Sequence, residues 1–189
     1  MLEQLVQLDK DLFLFLNGLG VENWDRFWLF ITNKWSAIPL YLILLILSYK
    51  NLGVKKTLIL LVTIALLITV TDQLANFFKY GLQRLRPCHD DDVNQLMRLV
   101  KSYCGGKYGY FSAHAASSFA VATFFNQLFK TKVKYLGFIL IAWALLVGYS
   151  RIYIGVHFPL DVITGVAVGL LFGWLFVQLY IFAIQKIKV

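Results

Sequence analysis

The sequence predicts an all-α integral membrane protein, a helical bundle of five transmembrane helices preceded by an interfacial amphipathic helix. Of its 189 residues, 59% are hydrophobic and 15% are charged, whereas an average soluble domain has about 25% charged residues. Several apolar runs also approach the roughly 20 residues that a helix needs to cross a bilayer. The length accommodates one domain, so residues 1–189 are predicted to form a single unit.

Residues 1–25 are apolar but are interrupted by Asp9, Lys10 and Asp11. We expect an interfacial helix here that lies on the membrane without crossing it. Apolar runs of helical length predict the spans themselves, and Trp24, Trp28 and Trp35 are placed to anchor one end of the first at the interface. The five predicted spans are residues 27–48, 57–78, 112–129, 135–149 and 159–184.

Five spans put loops 49–56 and 130–134 and the C-terminal tail, with Lys186 and Lys188, on one side of the membrane. These three segments contain eight lysines and no Asp or Glu, so the positive-inside rule makes that side the cytoplasm. The net charge of +8 is therefore a topology signal and does not indicate nucleic acid. Residues 79–111 form a polar loop on the outer face. In a bacterium the protein would lie in the inner membrane with this loop in the periplasm.

A cation, an imidazole and a carboxylate lie close together before the last span. Pro159 suits the first turn of a helix, and Asp161 lies four residues after His157, so the two side chains share a helix face. The carboxylate can orient one ring nitrogen and leave the other basic. The guanidinium of Arg151 suits a pair of phosphate or carboxylate oxygens. Alone, this set also fits a structural ion pair at the membrane edge.

Two further clusters share the outer face. Lys79 and Arg86 are seven residues apart, or two helical turns, so both can face one point. Arg84 falls on another face, and we interpret it as a helix cap or a ligand of lipid headgroups; this remains an alternative for the other two. Ser112 is a good N-cap, and a helix N-terminus offers free N–H groups to an anion. His114 lies in that first turn.

The pattern Lys-x6-Arg-Pro, Ser-x-His and Ser-Arg-x5-His-x3-Asp, from Lys79 to Asp161, resembles the three-part signature of the type 2 phosphatidic acid phosphatase family, which shares its phosphate site with vanadium haloperoxidases. The resemblance implies that His157 is the nucleophile and forms a phosphohistidine, that Asp161 orients it, and that His114 protonates the leaving group. It also implies a set of phosphate-binding residues: Lys79, Arg86, Ser112, Ala113 and Arg151.

Fixed cations, an in-line nucleophile and an opposing proton donor are what phosphoryl transfer needs, so we expect no metal and no cofactor. Phe111 and Ala113 replace the Pro and Gly usual in the family, and we expect this to affect rate or substrate fit. The resemblance implies a phosphatase acting on a phosphomonoester or pyrophosphate of a lipid that arrives sideways from the bilayer. Undecaprenyl pyrophosphate, phosphatidylglycerol phosphate and lipid A phosphates are the candidates.

Two alternatives remain at this stage. A phosphotransferase would pass the phosphoryl group to an acceptor hydroxyl. A non-catalytic phospholipid-binding or carrier protein would need neither His157 nor Asp161, so their presence argues against it.

Four other features have structural interpretations. Cys88 and Cys104, the only cysteines, can pair on an oxidising outer face, with two free thiols as the alternative. Residues 89–92, His-Asp-Asp-Asp, are interpreted as solvated and not as a metal site. Asp72 would be buried in the second span and needs a partner such as Lys34 or Lys79. A small-residue stripe permits close helix packing, with a homodimer as an alternative: Gly165, Gly169 and Gly173.

Overall fold

The computed structural model describes residues 2–187. Apart from an isolated bridge between Leu85 and Tyr108, these residues are helical or irregular. Met1 and the predicted cytoplasmic Lys188 lie outside the described residues. Six α-helices follow in order: α1 Leu2–Gly18, α2 Glu22–Thr32, α3 Ile38–Leu82, α4 Ala113–Phe129, α5 Leu136–Tyr153 and α6 Pro159–Lys186.

Helix α3 is a hairpin with its bend at Gly53, where φ is 79° and ψ is 174°. Glycine adopts this left-handed φ without a Cβ clash. Tyr41 and Ile68 line one cavity, and Leu45 and Leu61 line a groove closer to the bend. Because residues before the bend meet residues after it in reverse order, the two arms are antiparallel, and the predicted loop 49–56 forms the tip.

Three helical segments among the described residues are long and apolar enough to cross a membrane: Lys34–Leu82, Leu136–Tyr153 and Pro159–Lys186. The first contains both arms of the hairpin. Helix α4 has 17 residues, and most of its surface is buried in the bundle. The all-α membrane class is therefore confirmed, whereas the number of five spans stays a prediction.

The position predicted for the first span, residues 27–48, is wrong. Helix α2 ends at Thr32, and a 3₁₀ turn at Lys34–Ala37 separates it from α3. The chain breaks here because Asn33 is extended and its side chain accepts a hydrogen bond from the Trp35 N–H at 3.0 Å. Pro39 then occupies the start of α3, where a missing N–H costs least. Lys34 thus lies outside the helix that we expected to contain it.

The glycine stripe of α6 is packed against α4 within the same chain. A Cβ on Gly165 would come within 2.6 Å of the Ser112 carbonyl oxygen, and one on Gly169 within 2.5 Å of the Ala116 carbonyl oxygen. Glycine therefore lets the two backbones touch. The stripe is thus used for packing within the chain, and the alternative of a homodimer stays a prediction. This contact fixes the start of α4 against the start of α6.

Candidate active site

The turn between α5 and α6 carries His157. The N–H groups of Val156 and His157 both donate to the carbonyl of Arg151, at 3.1 and 3.3 Å, so the backbone ties the histidine to the last turn of α5. Gly155 has a φ of 82°, and a Cβ there would lie 2.8 Å from the Arg98 carbonyl oxygen. The glycine lets this turn bend tightly beneath residues 97–99.

The carboxylate of Asp161 lies beside the imidazole of His157, with Oδ2 3.5 Å from Nδ1. The same Oδ2 accepts a hydrogen bond from the Phe158 N–H at 3.0 Å. The two side chains are almost completely buried, at 3% and 0% exposure. The separation exceeds that of a normal hydrogen bond, but catalytic hydrogen bonds are commonly long before substrate binds. Since Nδ1 faces Asp161, Nε2 is the nitrogen available for chemistry.

Arg84 was interpreted as a helix cap or a lipid ligand, and that interpretation is wrong. Its Nη1 donates to Oδ1 of Asp161 at 2.8 Å, and its Nη2 donates to Oδ2 of Asp9 at 2.5 Å. Helix α3 ends at Leu82, and the left-handed Gln83, with φ 51°, turns the chain toward α6. The guanidinium also lies over the ring of Phe158, 4.6 Å from its centroid.

The expectation that Lys79 and Arg86 share one helical face is also wrong, because Arg86 lies beyond the end of α3. Residues 84–86 instead pair with residues 107–109, through the N–H of Arg86 on the Lys107 carbonyl at 3.1 Å. The Nη1 of Arg86 donates to the Val156 carbonyl at 3.2 Å, which places its charge next to His157. The extended pairing, not a helix, brings Arg86 to the histidine.

Arg151 is buried at the end of α5, 6% exposed. Its Nη1 donates to Oγ1 of Thr32, whereas its Nε has no hydrogen-bond partner among the described residues. Burial lowers the pKa of His157 well below its ordinary 6.5, and the charges of Arg86, Arg151 and Lys79 lower it further. The imidazole is therefore neutral near pH 7, which is the nucleophilic form.

Ser112 is the N-cap of α4, and its Oγ accepts a hydrogen bond from the Ala115 N–H at 3.4 Å. Its own N–H donates to the carbonyl of Asp161 at 2.9 Å. Ala113 and His114 follow in the first turn. Phe111, in the place of the family's proline, is buried with its ring 5.8 Å from that of Phe78. The start of α4 is thus held against both α3 and α6.

A cavity of about 360 Å³ opens beside His114, between the α3 hairpin, α4 and α5. Its wall is mainly apolar, with polar groups that include Lys34, Asp72 and Ser117. The expectation of a buried, salt-bridged Asp72 is wrong: the residue is exposed in the described structure. Its side chain accepts a hydrogen bond from Asn76 at 3.4 Å, and neither predicted lysine lies within salt-bridge distance in the described part of the chain.

Two charged residues near the site have no motif in the sequence. Lys101 lies in the irregular outer segment; burial lowers its pKa, and the nearby charges of Arg151 and Arg86 lower it further. Asp9 lies on α1, and the signal that marks it is its spacing of four from Phe13, which places both on one helix face. No comparable periodicity marks Lys101.

The outer loop brings Cys88 and Cys104 together with their Cα atoms 6.2 Å apart, within the range that a disulfide spans. His89 lies next to them, so the three residues also form a group with potential metal ligands within 4.8 Å. The neighbouring acidic residues were interpreted as solvated. The structure corrects this for Asp90 alone, whose side chain is 15% exposed and binds the Nζ of Lys10 at 3.0 Å. Asp92 also binds this Nζ, at 2.7 Å, but its side chain is 78% exposed.

A buried neutral histidine, an adjoining carboxylate and several cations, all at one end of an apolar helical bundle, define a membrane phosphatase. The chain belongs to the PAP2 superfamily, whose sequence model matches residues 56–184, and this confirms the family resemblance stated from the motifs.

Similar proteins extend over nearly the whole chain. It is 38% identical over 178 residues to a lipid A 4'-phosphatase of Bacteroides thetaiotaomicron, covering 93% of this chain and 78% of the relative. It is 34% identical over 185 residues to a lipid A 4'-phosphatase of Porphyromonas gingivalis, covering 96% and 77%. The crystal structure of Aquifex aeolicus LpxE has the same fold, with a TM-score of 0.65, 27% identity and coverage of 89% and 93%.

Proposed function

We propose that this protein removes a phosphate group from a lipid A-type glycolipid through a phosphohistidine formed on His157. The observation that carries the proposal is the buried imidazole, which lies between the Asp161 carboxylate and the cations Arg86 and Arg151. The choice of lipid A among the candidate lipids rests on the names of the two relatives that are 38% and 34% identical.

In the first step, Nε2 of His157 attacks phosphorus, a P–N bond forms, and the P–O bond to the lipid breaks. Asp161 stabilises the positive charge that develops on the imidazole. His114 gives its proton to the departing alkoxide. The cations and the N–H groups at the start of α4 bind the equatorial oxygens, where they stabilise the charge of the transition state. The groups that hold these oxygens are Lys79, Arg86, Arg151, Ser112 and Ala113.

In the second step, water attacks the phosphohistidine, with His114 now accepting its proton. The P–N bond breaks, inorganic phosphate leaves, and His157 returns to its neutral form. Because His114 lines the cavity between the α3 hairpin and α5, the sugar that leaves would occupy that cavity. The lipid chains would remain in the bilayer.

The same proposal includes the topology. Each arm of the α3 hairpin would cross the bilayer once, and α4, α5 and α6 would complete five spans. The lysine-rich tips would face the cytoplasm and the active site the periplasm. In that oxidising compartment Cys88 and Cys104 would form a disulfide.

Phosphate release by the purified protein in detergent tests the reaction, with EDTA present. Lipid A, undecaprenyl pyrophosphate and phosphatidylglycerol phosphate serve as substrates, and His157→Ala serves as the control. We expect release from lipid A that persists in EDTA and is lost in the variant. Equal release by the wild type and the variant would refute the mechanism. Fastest release from another lipid would refute the substrate, and phosphate transfer to an added alcohol without release to water would indicate a transferase.

A further inference from the structure

Helix α1 presents a polar group to the bundle where a purely docking helix would be apolar. Asp9, Phe13 and Asn17 are spaced by four residues and share one face, and their exposed fractions are 4%, 0% and 1%. Burying a carboxylate is costly unless it is paired and hydrogen-bonded. Asp9 is therefore expected to have a specific partner in the bundle. That partner is Arg84, which also binds Asp161.

Both oxygens of Asp9 are used. Oδ1 accepts a hydrogen bond from the Leu160 N–H at 2.8 Å, and Oδ2 accepts one from Nη2 of Arg84 at 2.5 Å. Leu160 is the residue before Asp161 in the first turn of α6, and the other nitrogen of Arg84 binds Asp161 itself at 2.8 Å. The Asp9 carboxylate thus binds both the backbone next to Asp161 and Arg84, the cation that is paired with the Asp161 side chain.

We propose that Asp9 and Arg84 are positioning residues that hold Asp161 in the orientation that His157 needs. Arg84 occupies Oδ1 of Asp161, which leaves Oδ2 facing the imidazole. A guanidinium paired with Asp161 alone would draw that carboxylate's charge away from His157. Because Asp9 shares the guanidinium, negative Asp9, positive Arg84 and negative Asp161 follow one another, and the imidazole of His157 comes next. The role rests on the proposed function of His157 as the nucleophile.

The geometry separates this role from phosphate binding. In the part of the chain that the structure describes, no hydrogen bond or salt bridge joins Asp9 or Arg84 to Lys79, Arg86 or Arg151. Loss of Asp9 should therefore lower the rate of chemistry without weakening substrate binding. A residue that only held α1 in place would not be expected to lower kcat while leaving KM unchanged.

The kinetic test compares Asp9→Asn and Arg84→Lys with variants of the same helix that do not reach Asp161. Lys10→Ala removes the adjacent contact to Asp90 and Asp92. Asn17→Ala removes the hydrogen bonds of α1 to the carbonyls of residues 98, 152 and 153. We expect kcat to fall about tenfold or more in the first pair, by analogy with the partners that orient metal-ligating histidines, with KM changed less than about twofold. We expect both control variants to retain the wild-type kcat.

The double variant adds a second criterion. Because Asp9 and Arg84 are hydrogen-bonded to each other, Asp9→Asn combined with Arg84→Lys should cost less than the sum of the two effects in free energy. Additive losses, an equal loss of kcat in Asn17→Ala, or a rise in KM that accounts for the whole loss would each overturn the proposal.

A spectroscopic measurement decides the same point without turnover. The chain has three histidines, so ¹⁵N-histidine NMR in detergent micelles can be assigned with single substitutions of His89 and His114. We expect His157 to be one tautomer, protonated on Nδ1, in the wild type and Lys10→Ala, and a mixture of tautomers in Asp9→Asn. An unchanged tautomer in Asp9→Asn would overturn the positioning role. If the wild type released phosphate from no lipid, the proposed function would fail, and these spectra would still decide whether Asp9 orients the ring.

Discussion

Asp161→Asn tests the proposed catalytic contribution of the carboxylate separately from its contribution to stability. The change preserves shape but removes the charge beside Nδ1 of His157, 3.5 Å away. Without that charge the imidazolium-like state formed on attack loses its partner, and the ring can adopt the wrong tautomer. For an equivalent substitution in a serine protease triad the loss of kcat is about 10⁴-fold. We expect a loss of about 10³-fold to 10⁴-fold here.

The stability cost should be smaller than the loss of a buried ion pair normally implies. Removing one partner of a buried pair costs about 3–5 kcal/mol because a charge remains unpaired. Arg84 retains Asp9 and is partly exposed, at 21%, so its charge stays compensated. The lost hydrogen bonds then dominate, which corresponds to about 1–3 kcal/mol.

The assay pairs initial rates of phosphate release with thermal unfolding in the same detergent, followed by tryptophan fluorescence. Asn17→Ala, whose contacts lie away from Asp161, is the reference for a loss of stability without a loss of the carboxylate. An Asp161→Asn enzyme with kcat within about tenfold of the wild type would refute the orienting role. Loss of the folded state in Asp161→Asn alone would show that Asp9 does not compensate Arg84.

Three other outcomes follow from the structure. Burial and nearby cations lower the pKa of His157 below 6.5. We therefore expect kcat/KM to persist as the pH falls through 6.5 and to decline only when the ring protonates. A decline centred at or above pH 6.5 in a pH–rate profile would contradict this. Gly169→Ala places a Cβ 2.5 Å from a carbonyl oxygen of α4, so thermal unfolding should show a destabilisation of about 1–3 kcal/mol. Gly81→Ala is the control: nothing lies within 4 Å of its Cβ, and we expect no destabilisation. Replacing Cys88 and Cys104 by Ser should lower the free energy of unfolding by about 3 kcal/mol, and intact-mass analysis before and after reduction should show two thiols released in the wild type.

Sequence reasoning succeeded where a local spacing fixes the geometry. The spacing of four residues predicted that His157 and Asp161 lie close together, although His157 precedes α6 and hydrogen bonds to the Arg151 carbonyl fix its position. Apolar runs of helical length likewise predicted the three segments that the structure shows to be long and apolar enough to cross a membrane. The first span was misplaced because Trp28 and Phe30 extend the apolar run across a break that depends on one side-chain hydrogen bond of Asn33.

Arg84 was misassigned because it lies beyond the end of α3, so helical spacing does not determine where its side chain points. Its direction depends on the left-handed Gln83 and on the pairing of residues 84–86 with residues 107–109, neither of which has a distinct sequence pattern. Asp9 was missed because its role depends on contacts with residues 75 and 151 positions away. The spacing of four from Phe13 places Asp9 on the buried face of α1, but only the assembled structure shows which residues it meets there.

The site is built in two halves that different parts of the chain control. The half that would bind phosphate is fixed by backbone contacts: the N–H of Ser112 binds the carbonyl of Asp161 at 2.9 Å, and the glycine stripe keeps α4 against α6. The half beside His114 is formed by side chains of α2, the α3 hairpin and α5, including Tyr41 and Asp72. Thr32 connects the two halves, because it lines this cavity and accepts a hydrogen bond from Arg151. Substitutions elsewhere in the second half are expected to change which leaving group fits without moving His157. Selection between a sugar and a simpler lipid alcohol is therefore expected to depend on residues such as Asp72, and the chemistry on the contacts between α4 and α6.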